Sequence, residues 1–207
     1  MSFPVNVVGL TGGIASGKSL VAGFLREAGA PVLDADQLGH MVLEPDGEAY
    51  AGTVLAFGRE ILGDDGTIDR RKLGALVFGN KERLELLASL THPAISRLAQ
   101  KGLALVAERG ASFAFYEAAL LVETGTYRNL SALVVISCPV ATQLKRLAAR
   151  DGLSPEEAAA RIASQHALAE KLAVADWVIE NDGPPEEARE RTLEILTRIE
   201  ERFGGKV

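Results

Sequence analysis

Near the start of the chain, Gly12-x-x-x-x-Gly17-Lys18-Ser19 matches the whole of the G-x-x-x-x-G-K-[ST] pattern. Nothing else in the 207 residues restricts the fold as strongly. A phosphate chain has to be wrapped by several backbone N–H groups, and side chains on the loop would block that approach. Ahead of the loop, Val5-Asn6-Val7-Val8-Gly9-Leu10 reads as a strand. After it, a helix is expected to about Ala28, with Gly29 as its stop. A helix beginning near Lys18 turns the positive end of its dipole toward the phosphates. Lys18 is expected to reach the β- and γ-phosphates, and the Ser19 hydroxyl to ligate Mg²⁺. A glycine-rich turn without a ligand is the competing reading, and the strand-loop-helix context argues against it.

The rest of the chain continues the pattern. Pro31-Val32-Leu33-Asp34 reads as a second short strand, so strand, helix and strand follow within about 30 residues, as in a βαβ unit. Residues 35–109 read as mostly helical, with Gly63-Asp64-Asp65-Gly66 as a strong turn. Further strands are expected at Ser112–Glu117, Ala132–Ser137 and Trp177–Ile179, and a last helix over about 185–203. The strands are short apolar runs, as expected where both faces of a sheet are covered. Asp151-Gly152 breaks one helix, and Ser154-Pro155-Glu156-Glu157 starts the next with Ser at N-cap, Pro at N1 and Glu at N3. The reading is a single α/β domain over 1–207 with helical excursions at about 60–100 and 140–170.

Composition removes several classes. Lys plus Arg total 22 against 28 for Asp plus Glu, a net charge of −6, which argues against a duplex-binding protein. Cys138 is the only cysteine, so no intramolecular disulfide can form, and His40, His92 and His166 are too scattered for a zinc site. No run of 18 apolar residues exists, and the first residues carry neither a basic region nor a cleavage site. The expectation is a cytoplasmic protein with no membrane partner.

Among nucleotide-binding classes, a switch GTPase should carry an N-K-x-D motif after a later strand. Ser137-Cys138-Pro139 and Asn181-Asp182-Gly183 do not fit it. A small-molecule kinase fits better, and such enzymes place a carboxylate near the end of the second strand. Asp34-Ala35-Asp36 lies there. At strand spacing both carboxylates could share a face, or one could cap the next helix. A carboxylate that hydrogen-bonds the acceptor hydroxyl would orient it and take its proton. In the second excursion Arg146 and Arg150 lie at i, i+4, as do Arg161 and Gln165. These suit a lid that neutralises the transferring phosphoryl group, or a solvated basic face paired with Glu156 and Glu157. Glu117 ends an apolar strand and is a candidate to hold Mg²⁺ directly or through water; the alternative is an ordinary strand-end carboxylate. His92, in Thr91-His92-Pro93, reads first as a helix-start or packed histidine.

These residues, taken together, resemble the bacterial dephospho-coenzyme A kinases. Leu10 to Ser19, including Thr11 before Gly12-Gly13-Ile14-Ala15-Ser16, is similar to the family's opening. Asp34-Ala35-Asp36 resembles its D-A-D motif. Asp65-Gly66-x-x-Asp69-Arg70 with Leu73 and Phe78, Thr91-His92-Pro93-x-Ile95 and Leu120-Leu121-Val122-Glu123 resemble later segments. So do Gln143-x-x-Arg146-x-x-x-Arg150-Asp151, Arg161-x-x-x-Gln165, Lys171, Ala175-Asp176 and Asn181-x-Gly183. The match runs in order over about residues 5–185. Leu20 departs from the family's usual Thr, Ala119 from its Pro, and Glu117 from its common Asp.

The resemblance implies a P-loop kinase fold: a five-stranded parallel sheet flanked by helices, with an acceptor-side subdomain at about 60–100 and a lid at about 140–170. It implies transfer of the ATP γ-phosphate to the ribose 3′-hydroxyl of dephospho-coenzyme A, with Mg²⁺ required. Asp36 would lie near the acceptor hydroxyl, Arg146 would be the lid arginine and Arg150 would stand behind it. The nucleotide would be held by residues 12–20 with Arg150 and Asn181. The acceptor side would be shaped by Thr11, Asp34, Asp36, Arg70, His92 and Pro93. The expected partners are ATP and dephospho-coenzyme A, without nucleic acid, the chain being a monomer or weak oligomer. A kinase of another small acceptor (a nucleoside, nucleotide or sugar acid) is the second reading.

Overall fold

The computed structural model describes residues 3–205. Its strands are β1 (Asn6–Gly12), β2 (Val32–Asp34), β3 (Phe113–Glu117), β4 (Ala132–Ser137) and β5 (Trp177–Glu180). They form one sheet in the order β2-β3-β1-β4-β5, with β1 in the middle. β1 runs parallel to both β3 and β4, and β4 parallel to β5. Parallel neighbours require crossovers, and helices supply them: α1 (Lys18–Glu27), α2 (Ala35–Met41), α3 (Tyr50–Phe57), α4 (Arg70–Val77), α5 (Lys81–Glu108), α6 (Val140–Asp151), α7 (Pro155–Ala163), α8 (Leu168–Leu172) and α9 (Pro185–Phe203). Short 3₁₀ turns lie at Arg59–Ile61 and Thr126–Asn129.

The chain divides into two compact units. One takes in the chain up to Leu33 and from Leu103 onward; the other is Asp34–Gly102. In the first, Val8, Leu10, Phe115, Val134 and Ile136 of the sheet pack with Val21, Ala22 and Leu25 of α1 and with Ile195, Leu196 and Ile199 of α9. The strands are apolar almost without interruption because helices cover the sheet. The register sets Glu117 opposite Leu10, and Gly12 opposite Ile136, so the phosphate loop leaves the sheet beside the ends of β3 and β4.

The second unit gathers Phe57, Ile61, Ile68, Leu73 and Val77 into one cluster, and Val42, Ala49 and Ala94 into another. The turn expected at Gly63–Gly66 is closed by Gly63 N donating to Thr67 O at 2.8 Å. Asp65 accepts from the Thr67 hydroxyl and amide, which hold its carboxyl below the usual range. The sequence reading differs from the structure at Pro93. α5 is one helix of 28 residues that runs through it, so His92 is mid-helix rather than at a helix start. Proline inside a helix removes one i→i−4 bond. Burial of Thr91 and Ala94, on either side of the exposed His92 and Pro93, offsets that loss, and the Thr91 hydroxyl donates to Leu87 O at 2.9 Å.

Residues 140–163 follow the sequence closely. α6 ends at Gly152, whose φ of 65° is left-handed. α7 opens with the expected capping box: the Ser154 hydroxyl accepts from Glu157 N, and the Glu157 carboxylate accepts from Ser154 N.

Candidate active site

The phosphate loop is shaped by its own backbone and then locked from outside. Ser16 N donates to Gly13 O at 3.0 Å, and Leu20 N and Val21 N both donate to Gly17 O, which starts α1. Gly17 has φ 93°, and a Cβ built on it would lie 1.9 Å from the Asn181 amide nitrogen. Glycine is therefore needed there twice over, for conformation and for room. Ala15 also adopts a left-handed conformation, with φ 57°, and carries a side chain while doing so.

Four side chains from far along the chain grip this loop. Asn181, just after β5, donates to Ser16 O at 2.7 Å. Arg146 of α6 donates to Ala15 O and Ser16 O at 3.2 Å each, and to Asn181 O at 3.0 Å. Gln143, one turn earlier, donates to Ile14 O at 2.7 Å, while the Gln165 side chain accepts from Ile14 N at 2.7 Å. The carbonyls of residues 14–16 thus point into side-chain donors. Beside Gly13 and Ser16 lies a cavity of about 330 Å³, lined among others by Cys138, Gln143, Gln165 and Lys171. Burial pushes the Cys138 thiol up from its ordinary pKa, against the opposing pull of Arg146.

Lys18 opens α1, and its ammonium lies 2.8 Å from Glu117 Oε1. Arg26, in the last turn of the same helix, reaches Glu117 Oε2 at 3.1 Å. The Glu117 side chain is 1% exposed. Instead of an open coordination position, the structure gives this carboxylate two cations. Ser19, the other residue expected at a metal, is exposed on the first turn of α1, as is Leu20. Thr11 is buried and its hydroxyl donates to Ala119 O at 3.1 Å, so it ties the end of β1 to the segment after β3. Among the described residues, no cluster of three or more His, Cys, Asp or Glu could hold a metal ion.

The family model described as dephospho-CoA kinase matches residues 6–187. The chain belongs to the dephospho-CoA kinase family. A dephospho-CoA kinase of Geobacter sulfurreducens is 44% identical over 194 residues, which cover 94% of this chain and 98% of that one. The solved structure of a dephospho-CoA kinase from Campylobacter jejuni aligns with a TM-score of 0.71 at 31% identity, over 95% of this chain and 98% of its own. A solved structure from Thermus thermophilus aligns with a TM-score of 0.82 at 36% identity, over 96% and 98% of the two chains. The fold is that of the P-loop kinases, with the five-stranded parallel sheet and flanking helices expected.

Of the residues that the resemblance puts on the acceptor side, Asp34, Asp36, Arg70, His92 and Pro93 lie in the second unit and Thr11 in the first. Asp34 is the N-cap of α2: its carboxylate accepts from Asp36 N at 2.8 Å and Gln37 N at 3.2 Å. Of the two roles open to the D-A-D pair, capping is the one Asp34 performs. Asp36, two residues on, is exposed. Arg70 is the first residue of α4, after the N-cap Asp69, and is exposed; His92 and Pro93 are exposed on α5.

On α6, Arg150 forms a two-pronged pair with Asp151 at 2.8 and 2.9 Å, and Arg161 of α7 approaches the same carboxylate at 3.6 Å. The hydrogen bond from Arg150 holds the Asp151 carboxyl below its usual range. On α8, the ammonium of Lys171 pairs with Glu123, and the Lys171 side chain is 1% exposed. Burial pushes the Glu123 carboxyl upward, but the bonds from Lys171, its own backbone and His166 N outweigh this and hold it low.

The sequence reading gave no role to Arg26, knew Gln143 only as part of a family pattern, and placed Gln165 with Arg161 on a lid face rather than on the phosphate loop. A lone arginine in a last helical turn looks like a dipole partner. The two glutamines carry no charge and no local signal that points 129 or 151 residues back to the loop.

Proposed function

We propose that this chain transfers the γ-phosphate of ATP to the ribose 3′-hydroxyl of dephospho-coenzyme A, forming coenzyme A and ADP in the cytoplasm. The observation that carries the reading is the locked phosphate loop with Lys18 at a helix N-terminus, in a chain that matches its family over nearly its whole length. Lys18 and the loop amides bind the phosphates, and the dipole of α1 adds to them. Asp36 orients the acceptor hydroxyl and takes its proton as the bond to phosphorus forms. Its exposure and lack of a capping duty suit that role, whereas Asp34 fixes the turn that presents it. Arg70, His92 and Pro93 shape the acceptor side.

Arg146 acts through the loop, keeping its carbonyls turned outward and placing a fixed positive charge beside the phosphates. Arg150 serves the nucleotide only after leaving Asp151, which makes that pair the rest position of a lid over about 140–170. Asn181 holds the loop that holds the nucleotide.

Mg²⁺ fits the donors present at one point. The exposed Ser19 hydroxyl can ligate it, and such ions take their remaining ligands from phosphate oxygens and water, so a dedicated acidic cluster is not needed. When bound, it neutralises charge on the β- and γ-phosphates. Glu117 fits as a water-mediated neighbour, since both of its oxygens already accept from cations.

The test is ADP release from ATP and Mg²⁺ with and without dephospho-coenzyme A, beside nucleosides and sugar acids. Release that depends on dephospho-coenzyme A, with coenzyme A formed, is the expected result. Turnover with another acceptor and none with dephospho-coenzyme A would overturn the assignment.

A further inference from the structure

Lys18 faces two claims. In the structure its ammonium sits on Oε1 of Glu117, a carboxylate with 1% of its side chain exposed. On the reading above, the same ammonium must serve the phosphates of ATP. A carboxylate this deep in the protein is costly to leave without a cation, because little water reaches it. If Lys18 were its only partner, every nucleotide that drew Lys18 away would strand that charge.

Arg26 removes the conflict. It stands eight residues after Lys18 on α1, about 12 Å further along the axis. Its guanidinium donates to Oε2, the oxygen that Lys18 does not use. Its side chain is 40% exposed, so water also solvates it.

We propose that Arg26 is a positioning residue for nucleotide binding: by holding the second oxygen of Glu117, it keeps that carboxylate compensated and so releases Lys18 to the phosphates. The inference rests on the reading of Lys18 as the phosphate lysine. It does not depend on which acceptor follows.

The test is equilibrium binding of ATP, by titration calorimetry, to the full chain and to Arg26→Gln, Arg26→Lys, Glu117→Gln and the Arg26→Gln/Glu117→Gln pair. Melting temperatures confirm that each is folded, and kcat and KM are measured with dephospho-coenzyme A. Arg26→Gln is expected to weaken ATP about tenfold, a value kept low because the guanidinium is partly solvated. Its kcat at saturating ATP should fall by less than about threefold, since Lys18 still reaches the phosphates once ATP is bound. Arg26→Lys should recover most of the affinity. In the Glu117→Gln background no carboxylate is left to strand, so adding Arg26→Gln should change little. Unchanged ATP affinity in Arg26→Gln would overturn the proposal. So would an equal loss with and without Glu117→Gln, since Arg26 would then act by another route. A wild-type chain that binds ATP but does not turn over dephospho-coenzyme A would remove the acceptor assignment and leave the affinities to decide on Arg26.

Discussion

The phosphate loop and the Asp34–Gly102 unit hold their candidate site residues in opposite ways. Around the loop, nearly every functional group is already engaged. Lys18 has Glu117, Arg146 has three carbonyls, and Asn181 has Ser16 O. In Asp34–Gly102 the candidate side chains Asp36, Arg70 and His92 stand exposed on the first turns or outer face of their helices. Only Asp34 is engaged, and with the backbone. A loop whose work is to present amides must be rigid before the ligand comes, because ordering it afterwards would be subtracted from binding. A base must be free to meet its substrate. The contrast teaches that neighbours within one short motif can differ in engagement, as Asp34, held by the backbone, and exposed Asp36 show.

The sharpest way to break this contrast is Asp36→Asn. It should lower kcat by roughly 10²–10⁴ while leaving ATP affinity and melting temperature unchanged, measured by steady-state kinetics, calorimetry and thermal melts. A stability loss there would mean that Asp36 is architectural after all.

Next in size is Lys171→Met on the interlocked side. It leaves Glu123 without its cation and should cost about 3 kcal/mol in urea unfolding. The same pair sets an acid limit. The folded Glu123 carboxyl titrates below its unfolded value, so its contribution is present above the unfolded pKa and is lost as pH falls through the folded one. In wild type that loss should set in below about pH 4, and Glu123→Gln should flatten that part of the curve.

The smallest effect expected is Ala15→Gly. A left-handed alanine is strained by about 1–2 kcal/mol, and glycine gives back part of this as unfolded-state entropy. A net gain of about 0.5–1 kcal/mol in unfolding free energy would sharpen the picture of a loop held under strain by its surroundings. A net loss would show that the strain is absent.

Much of this was legible in the residue order. The strands could be read because parallel, doubly covered strands leave apolar runs, and α7 because Ser154, Pro155 and Glu157 spell a start in local terms. The loop could be read because phosphate binding needs glycines at fixed spacing. Pro93 misled because the sequence shows the lost hydrogen bond but not the burial of Thr91 and Ala94 that offsets it. The second face of Glu117 was hidden for a different reason: its partners lie 99 and 91 residues away, joined only by the register of β1 with β3. Local rules find elements, and long-range partners need the sheet assembled first.

The shell around the phosphate loop also bears on how the protein is made. The motif is synthesised before its partners: Asn181 must reach 165 positions back to Ser16, and Gln165 must reach 151 back to Ile14. At about 5–20 residues per second, the nascent chain carries its glycines for roughly ten to thirty seconds before the last side chain that shapes them is synthesised. Until then it has the signature of a nucleotide site without the site. ATP in the surrounding cell therefore cannot help the early chain fold, and its stabilising pull is reserved for the finished molecule.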